Sequence, residues 1–207
     1  TTADAVVCTA ASHGYSDGDL LFIDGATGTT EINGLRKVAN SDTNTFELAD
    51  LDGNAIGSAG TFGGTVDSQR AFFIEPSAGE IYDIVRLNVA CQDASAWVVG
   101  GFLGLATLTN GIIIAVYRGS TLRKTITPTP IKAWHDWAMI AGVDIGALGD
   151  VANNKFEMLV RATFAKTEDP VRLDGDENDI LVMYTQDDLD GLSGLQAAVQ
   201  GADDTLL

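Results

Sequence analysis

From Lys155 onward the apolar residues fall on every second position: Phe156, Met158, Val160, Ala162 and Phe164 point one way, Glu157, Arg161 and Thr163 the other. That period belongs to a half-buried β-strand. The same alternation runs from Ile81 through Val85, Leu87, Val89 and Cys91, with Arg86 and Asn88 on the opposite face. It returns in Trp137, Met139, Ala141, Val143 and Ile145, and more briefly in Leu195, Ala197 and Val199. Two further runs, Ile112 to Tyr117 and Ile180 to Tyr184, are apolar on both parities and rich in β-branched residues, as strands covered on both faces are. Turn signals separate the runs: Pro76-Ser77-Ala78-Gly79, Asn110-Gly111, Thr127-Pro128-Thr129-Pro130, Asp174-Gly175 and Asp190-Gly191. Residues 70–207 therefore read as an antiparallel sandwich or jelly roll. One stretch admits two readings, because in Ile131 to Ala141 the residues Trp134, Trp137, Ala138 and Ala141 also fit a helical stripe.

Residues 1–66 have a different texture of short polar segments punctuated by glycine, with nine acidic residues against only Arg36 and Lys37. Gly57, Gly60, Gly63 and Gly64 mark the expected boundary, and a linker is expected at 64–70. The whole chain has 207 residues, 29 acidic and 12 basic, for a net charge of −17. That balance disfavours nucleic acid and anionic lipid, both of which are held through basic side chains. With 45% hydrophobic and 20% charged residues there is enough apolar surface for a core. The least polar run, Ala96 to Ala106, is interrupted by three glycines and falls short of the ~20 residues that a helical membrane span needs. Thr1 to Asp24 lacks a basic start followed by an apolar block, so no secretory signal is expected there. Cys8 and Cys91 are the only cysteines, and two readings stand: a disulfide in an oxidising setting, or two buried free thiols.

In the amino-terminal segment Asp17-Gly18 makes a tight turn, Leu21 and Ile23 share a strand face, Asn33-Gly34 supplies positive φ, and Phe46 with Leu48 returns an apolar face. Together with Thr9, His13-Gly14-Tyr15, Glu31-Ile32 and Val38, these pieces resemble the module named for the first catalytic-cysteine half-domain (FCCH) of ubiquitin-activating enzymes, a small β-barrel that recurs in phage virion proteins. The resemblance spans residues 5–66. It does not imply ubiquitin transfer, because Cys8 has no partner arrangement for an activated thiol and no nucleotide-binding loop is present.

Further along, Pro76 to Ile81 with Arg86, Leu108 to Ile112, Pro130-Ile131-Lys132, Trp137, Val171 to Asp176, Asp179 to Leu181, Asp187 to Leu192 and Val199-Gln200-Gly201 resemble jelly-roll-like structural proteins of tailed phages. The resemblance implies an all-β chain, a small barrel followed by a sandwich, with a place on the virion and no reaction. The expected partners are the major capsid protein or other virion proteins, with a homo-oligomer as the working form and no cofactor. The role implied is capsid decoration or cementing, with a tail, neck or glycan-binding adhesion component as the alternative and a virion-associated hydrolase using the acidic turn as a third reading.

The residues richest in chemical potential are Asp174, Asp176, Glu177, Asn178 and Asp179, followed by Asp187, Asp188 and Asp190. Oxygens at Asp174, Asp176 and Asn178 have the one-three-five spacing of a calcium loop. However, the sixth and twelfth places, which need Gly and Glu, hold Asp179 and Thr185. The expectation is a charged turn that guards the apolar strand after it, with no metal bound. A carboxylate pair for glycoside cleavage needs two groups flanking a cleft, which adjacency in a turn does not supply. Trp97, Trp134 and Trp137 are candidates for a packing interface, since aromatics dominate such contacts. His13 reads as a turn histidine bonded to backbone, and His135 has no neighbouring serine or second histidine with which to form a triad.

Overall fold

The computed structural model describes residues 5–28, 30–57, 62–63, 66–94, 100–102, 104–127, 129–133, 136, 143–150, 155–164 and 170–203. The fold is all-β, with antiparallel sheets in a half-barrel and sandwich-like arrangement. The chain forms two compact units, Thr1–Phe73 with Gly119–Thr121, and Ile74–Arg118 with Leu122–Leu207.

The first unit contains β1 (Val6–Thr9), β2 (Leu20–Asp24), β3 (Thr27–Gly28), β4 (Gly34–Ala39), β5 (Thr45–Ala49), β6 (Phe62–Gly63) and β7 (Asp67–Arg70). Five of them make one curved sheet in the order β1-β5-β4-β2-β7, while β3 pairs β6. The inner face of the sheet packs Val6, Leu21, Ile23, Val38, Phe46 and Leu48 into one cluster. Gly34, at φ 100, supplies the positive φ expected of Asn33-Gly34, and the Asn33 side chain clamps the turn by bonding both the N–H and the carbonyl of Ala26. The stretch expected as a linker, 64–70, contains β7, whose Asp67–Arg70 pairs β2 from Asp24 to Leu21. The unit boundary accordingly falls later, between Phe73 and Ile74.

The remaining strands make two further sheets. β10 (Ile112–Arg118), β11 (Thr121–Thr125) and β15 (Asp179–Thr185) join β8 (Phe72–Ile74) in the order β11-β10-β15-β8. As their two-sided apolarity predicts, β10 and β15 lie side by side and are buried on both faces over most of their length. The other sheet is built on β9 (Ile81–Asp93). One edge of β9 pairs β13 (Lys155–Thr163) along Arg86 to Asp93 and β14 (Val171–Asp174) along Ile81 to Ile84, while β16 (Gly194–Asp203) covers the opposite edge. β12 (Val143–Asp150) extends the sheet beyond β13. The strand expected from Trp137 is described only from Val143 onward.

Two sequence expectations need correction here. The alternation read from Ile81 places Val85 on the buried face, yet Ile84 is buried and Val85 only half-buried. Gln200 and Thr163 pair Arg86, whereas Gly201 and Val171 pair Ile84, so Val85 is skipped on both sides. An extra residue of this kind reverses the inside-outside parity along the strand. The strand expected to be short near Leu195 is ten residues long and mostly exposed. No helix among the described residues is long and apolar enough to cross a membrane.

Candidate functional site

The acidic turn joins β14 to β15. Asp174 is extended (φ −116, ψ 115), and its carboxylate accepts from the Asp176 N–H at 3.0 Å, capping the single 3-10 turn Gly175–Glu177. Asn178 closes the turn in the left-handed region at φ 53, donating its N–H to the Gly175 carbonyl at 3.2 Å. Asp176 turns outward to accept the Gly79 N–H at 2.8 Å. The calcium-spaced oxygens of Asp174 and Asp176 are thereby engaged by backbone donors. Among the described residues no group of three or more His, Cys, Asp or Glu is placed to hold a metal ion.

Asp179 behaves differently from the surface guard expected of it. Its side chain is 1% exposed and accepts from Arg118 Nε at 3.0 Å, Arg118 Nη2 at 3.3 Å and Arg123 Nη1 at 2.5 Å. Arg118 stands directly opposite Asp179 in the β10–β15 register and also pairs Glu177 at 3.0 Å. The bond to Asp179 drives the Arg118 guanidinium further up from its ordinary value. Sequence reasoning grouped Asp179 with the other acids and missed both arginines, since nothing local announces a partner 56 or 61 residues away. Downstream, Asp187 accepts the N–H groups of Thr109 (2.8 Å), Asn110 (3.0 Å) and Gly111 (2.6 Å), and the Thr185 hydroxyl. Burial alone would raise this carboxyl, but the three backbone donors and the hydroxyl hold it below the usual carboxylate range. The acid-rich segment thus works as a set of fasteners.

Trp97, Trp134 and Trp137, the expected interface residues, lie outside the described residues, as does His135.

A second cluster lies in the first unit. After β1 the chain reverses through Ser12 (φ 55) and Gly14 (φ 68), which brings His13 and Tyr15 against Phe46 with ring centroids 5.0–5.3 Å apart. The Tyr15 N–H donates to His13 Nδ1 at 3.0 Å, the backbone bond expected of a turn histidine, which leaves the ring proton on Nε2. His13 Nε2 is buried and makes no hydrogen bond among the described residues. Arg70 lies over the Tyr15 ring at 5.4 Å, pairs Asp19 at 3.1 Å and donates to the Gly14 carbonyl at 2.8 Å. Beside this cluster is an open groove of about 440 Å³, lined by Ser12, His13, Gly14, Tyr15, Ser41, Asp42 and Thr43. Its polar walls are partly engaged by the fold: the Ser41 hydroxyl donates to the Tyr15 carbonyl at 2.7 Å and the Asp42 carboxylate accepts the Thr43 N–H at 2.7 Å. Both cysteines are free thiols; burial pushes Cys8 up and Cys91 up to about 12, the reverse of nucleophile activation.

Among the described residues four large apolar side chains are exposed: Val7 on β1, Leu122 on β11 and Leu195 on β16, at 60%, 52% and 37% and each on a strand that ends its sheet, and Val66 just before β7. The chain matches no protein-family profile, no curated protein and no solved structure.

Proposed function

We propose that this chain is a non-enzymatic structural protein that works by binding other proteins, and specifically a capsid decoration subunit of a tailed-phage virion that seats on the assembled shell. The observation that carries the binding reading is the set of sheet-ending strands with large exposed apolar residues, Val7, Leu122 and Leu195. Unpaired strand edges offer backbone donors and acceptors to a neighbouring chain, and apolar residues on them supply the area that neighbour buries. The absence of chemistry is argued from the carboxylates: Asp174, Asp176, Asp179 and Asp187 are each bonded to donors of the fold. The virion setting rests on the sequence resemblance alone. On a lattice of repeated sites, many weak contacts would add to high occupancy.

The test is to mix the protein with purified shells and sediment them. Saturable co-sedimentation is expected, and the chain should be found in purified particles by mass spectrometry. Protein left wholly in the supernatant, together with particles that lack the chain, would overturn the reading. The groove beside His13 and Tyr15 favours a second reading, an adhesion component that binds host glycan. A glycan array in which the parent binds and Tyr15→Ala, Trp97→Ala or Trp134→Ala does not would select it.

A further inference from the structure

We infer that two copies of this chain pair through β16, antiparallel and about a twofold axis at Ala197, so that the sheet built on β9 runs on into a second molecule. The inference goes beyond the proposed function and stands whether or not the protein binds a shell. Among the described residues β16 pairs only β9, which leaves the other edge of Gly194 to Gln200 open to a second strand. The straight part, Gly194 to Gln200, is about 20 Å of strand before the shift at Gln200/Gly201.

The occupant is a second copy because the strand can pair with itself without setting like charges opposite each other; two copies at a net charge of −17 still repel at long range, and least where the contact carries no acid. From Gly191 to Ala202 there is no charged residue, nor is there any proline or lysine of the kind that guards edges. The other sheet-ending strands are poorer candidates: β7 carries Asp67 and Arg70, β11 carries Arg123 and Lys124, β12 carries Asp144 and Asp150, and β1 and β8 are only four and three residues long.

β16 is also complementary to itself. Centred on Ala197, antiparallel pairing sets Leu195 opposite Val199 of the second copy, Ala197 opposite Ala197, and Gln196 opposite Ala198, matching apolar to apolar on one face and uncharged to uncharged on the other. The apolar face is the one that needs a cover. Leu195, Ala197 and Val199 stand opposite Cys91, Val89 and Leu87 of β9. Those three partners are buried, but the β16 residues are half-buried or exposed. The core face of the sheet is therefore left open at its last strand, and a second β16 continues it with the same residues, the isologous arrangement of a twofold dimer.

The test is sedimentation of the full chain over a concentration series. The parent is expected to be a dimer at high micromolar concentration. Gln196→Glu with Ala198→Glu sets like charges opposite each other across the axis and raises the dissociation constant by at least about tenfold. Gln196→Lys with Ala198→Glu sets Lys opposite Glu in the same register and restores the dimer. Both positions are exposed in a single copy, so each variant keeps the parent's circular dichroism and melting temperature. Thr121→Glu with Thr125→Glu adds the same charge on β11 and leaves the dimer intact. Any one of three results overturns the inference: a parent that stays monomeric, a doubly glutamate β16 variant that dimerises like the parent, or a lysine–glutamate pair that does not restore it.

Discussion

At the scale of single residues, a carboxylate placed in a sheet interior has to bring its counter-charges with it, and Asp179 does so with two arginines on the neighbouring hairpin. Replacing it separates its charge from its shape. Asp179→Asn keeps the volume and loses the ionic bonds, and should lower unfolding free energy by about 1–3 kcal/mol in urea titration. Asp176→Asn and Glu177→Gln, on the exposed side of the same turn, should stay within about 0.5 kcal/mol of the parent. Equal losses at all three positions would mean that the turn acts as one polar unit. Asp187 gives a pH-dependent counterpart. Its folded value is depressed below the ordinary 3.8, so its contribution is fully present above that value and is lost as pH falls through the lower, folded one. Asp187→Asn should cost about 1 kcal/mol at neutral pH, by analogy with a lost helix cap, and should flatten the acid limb of a plot of stability against pH. An unchanged acid limb would show that the three N–H groups from Thr109 to Gly111 find other acceptors. The sequence shows that acids gather here, but not that Arg118 and Arg123 lie within bonding distance, because the β10–β15 register brings the first and the β10–β11 hairpin the second.

At the scale of elements, legibility followed the number of buried faces. β13, β10 and β15 could be read in advance because Met158, Val160 and Ala162 alternate with polar residues, and because Ile112 to Tyr117 and Ile180 to Tyr184 are apolar throughout. β4 and β11 could not, since Arg36 and Lys37 interrupt the one and every residue of the other is exposed. Sheet pairing without burial makes β11, while β4 buries only Leu35 and Val38, three positions apart, which gives no alternation to read. β9 was legible from Leu87 onward and misread at Val85, because a bulge is fixed by the partners of a strand and leaves no periodic trace of its own. The partner residue that permits it is Gly201, where a Cβ would collide with the Asp83 carbonyl oxygen. Gly201→Ala should therefore force the strands apart at the bulge and lower stability by about 1–3 kcal/mol, a cost typical of overpacking. Hydrogen exchange should localise the damage to β9 and β16 between Asp83 and Gln200, and a uniform loss of protection would assign the cost elsewhere.

At the scale of the whole molecule the governing quantity is the excess of acid. A protein held to a phosphate-bearing or cationic partner loses affinity as salt rises, because the ions compete with its contacts. Pairing through an uncharged strand follows the opposite rule. Two copies that each carry −17 have to be brought together against a long-range repulsion, while the β16 contact itself contains no charge for salt to weaken. Raising ionic strength from about 10 mM to about 150 mM shortens the Debye length from ~30 Å to ~8 Å, which removes most of the repulsion between charges remote from the interface. The dissociation constant of the dimer should therefore fall over that range, and it should be nearly flat above it, where apolar burial and backbone bonds remain. Sedimentation equilibrium at three salt concentrations measures the trend directly. A dissociation constant that rises with salt would mean that the copies are joined by ion pairs, and would move the interface from β16 to one of the charged edges, β11 with Arg123 and Lys124 first among them.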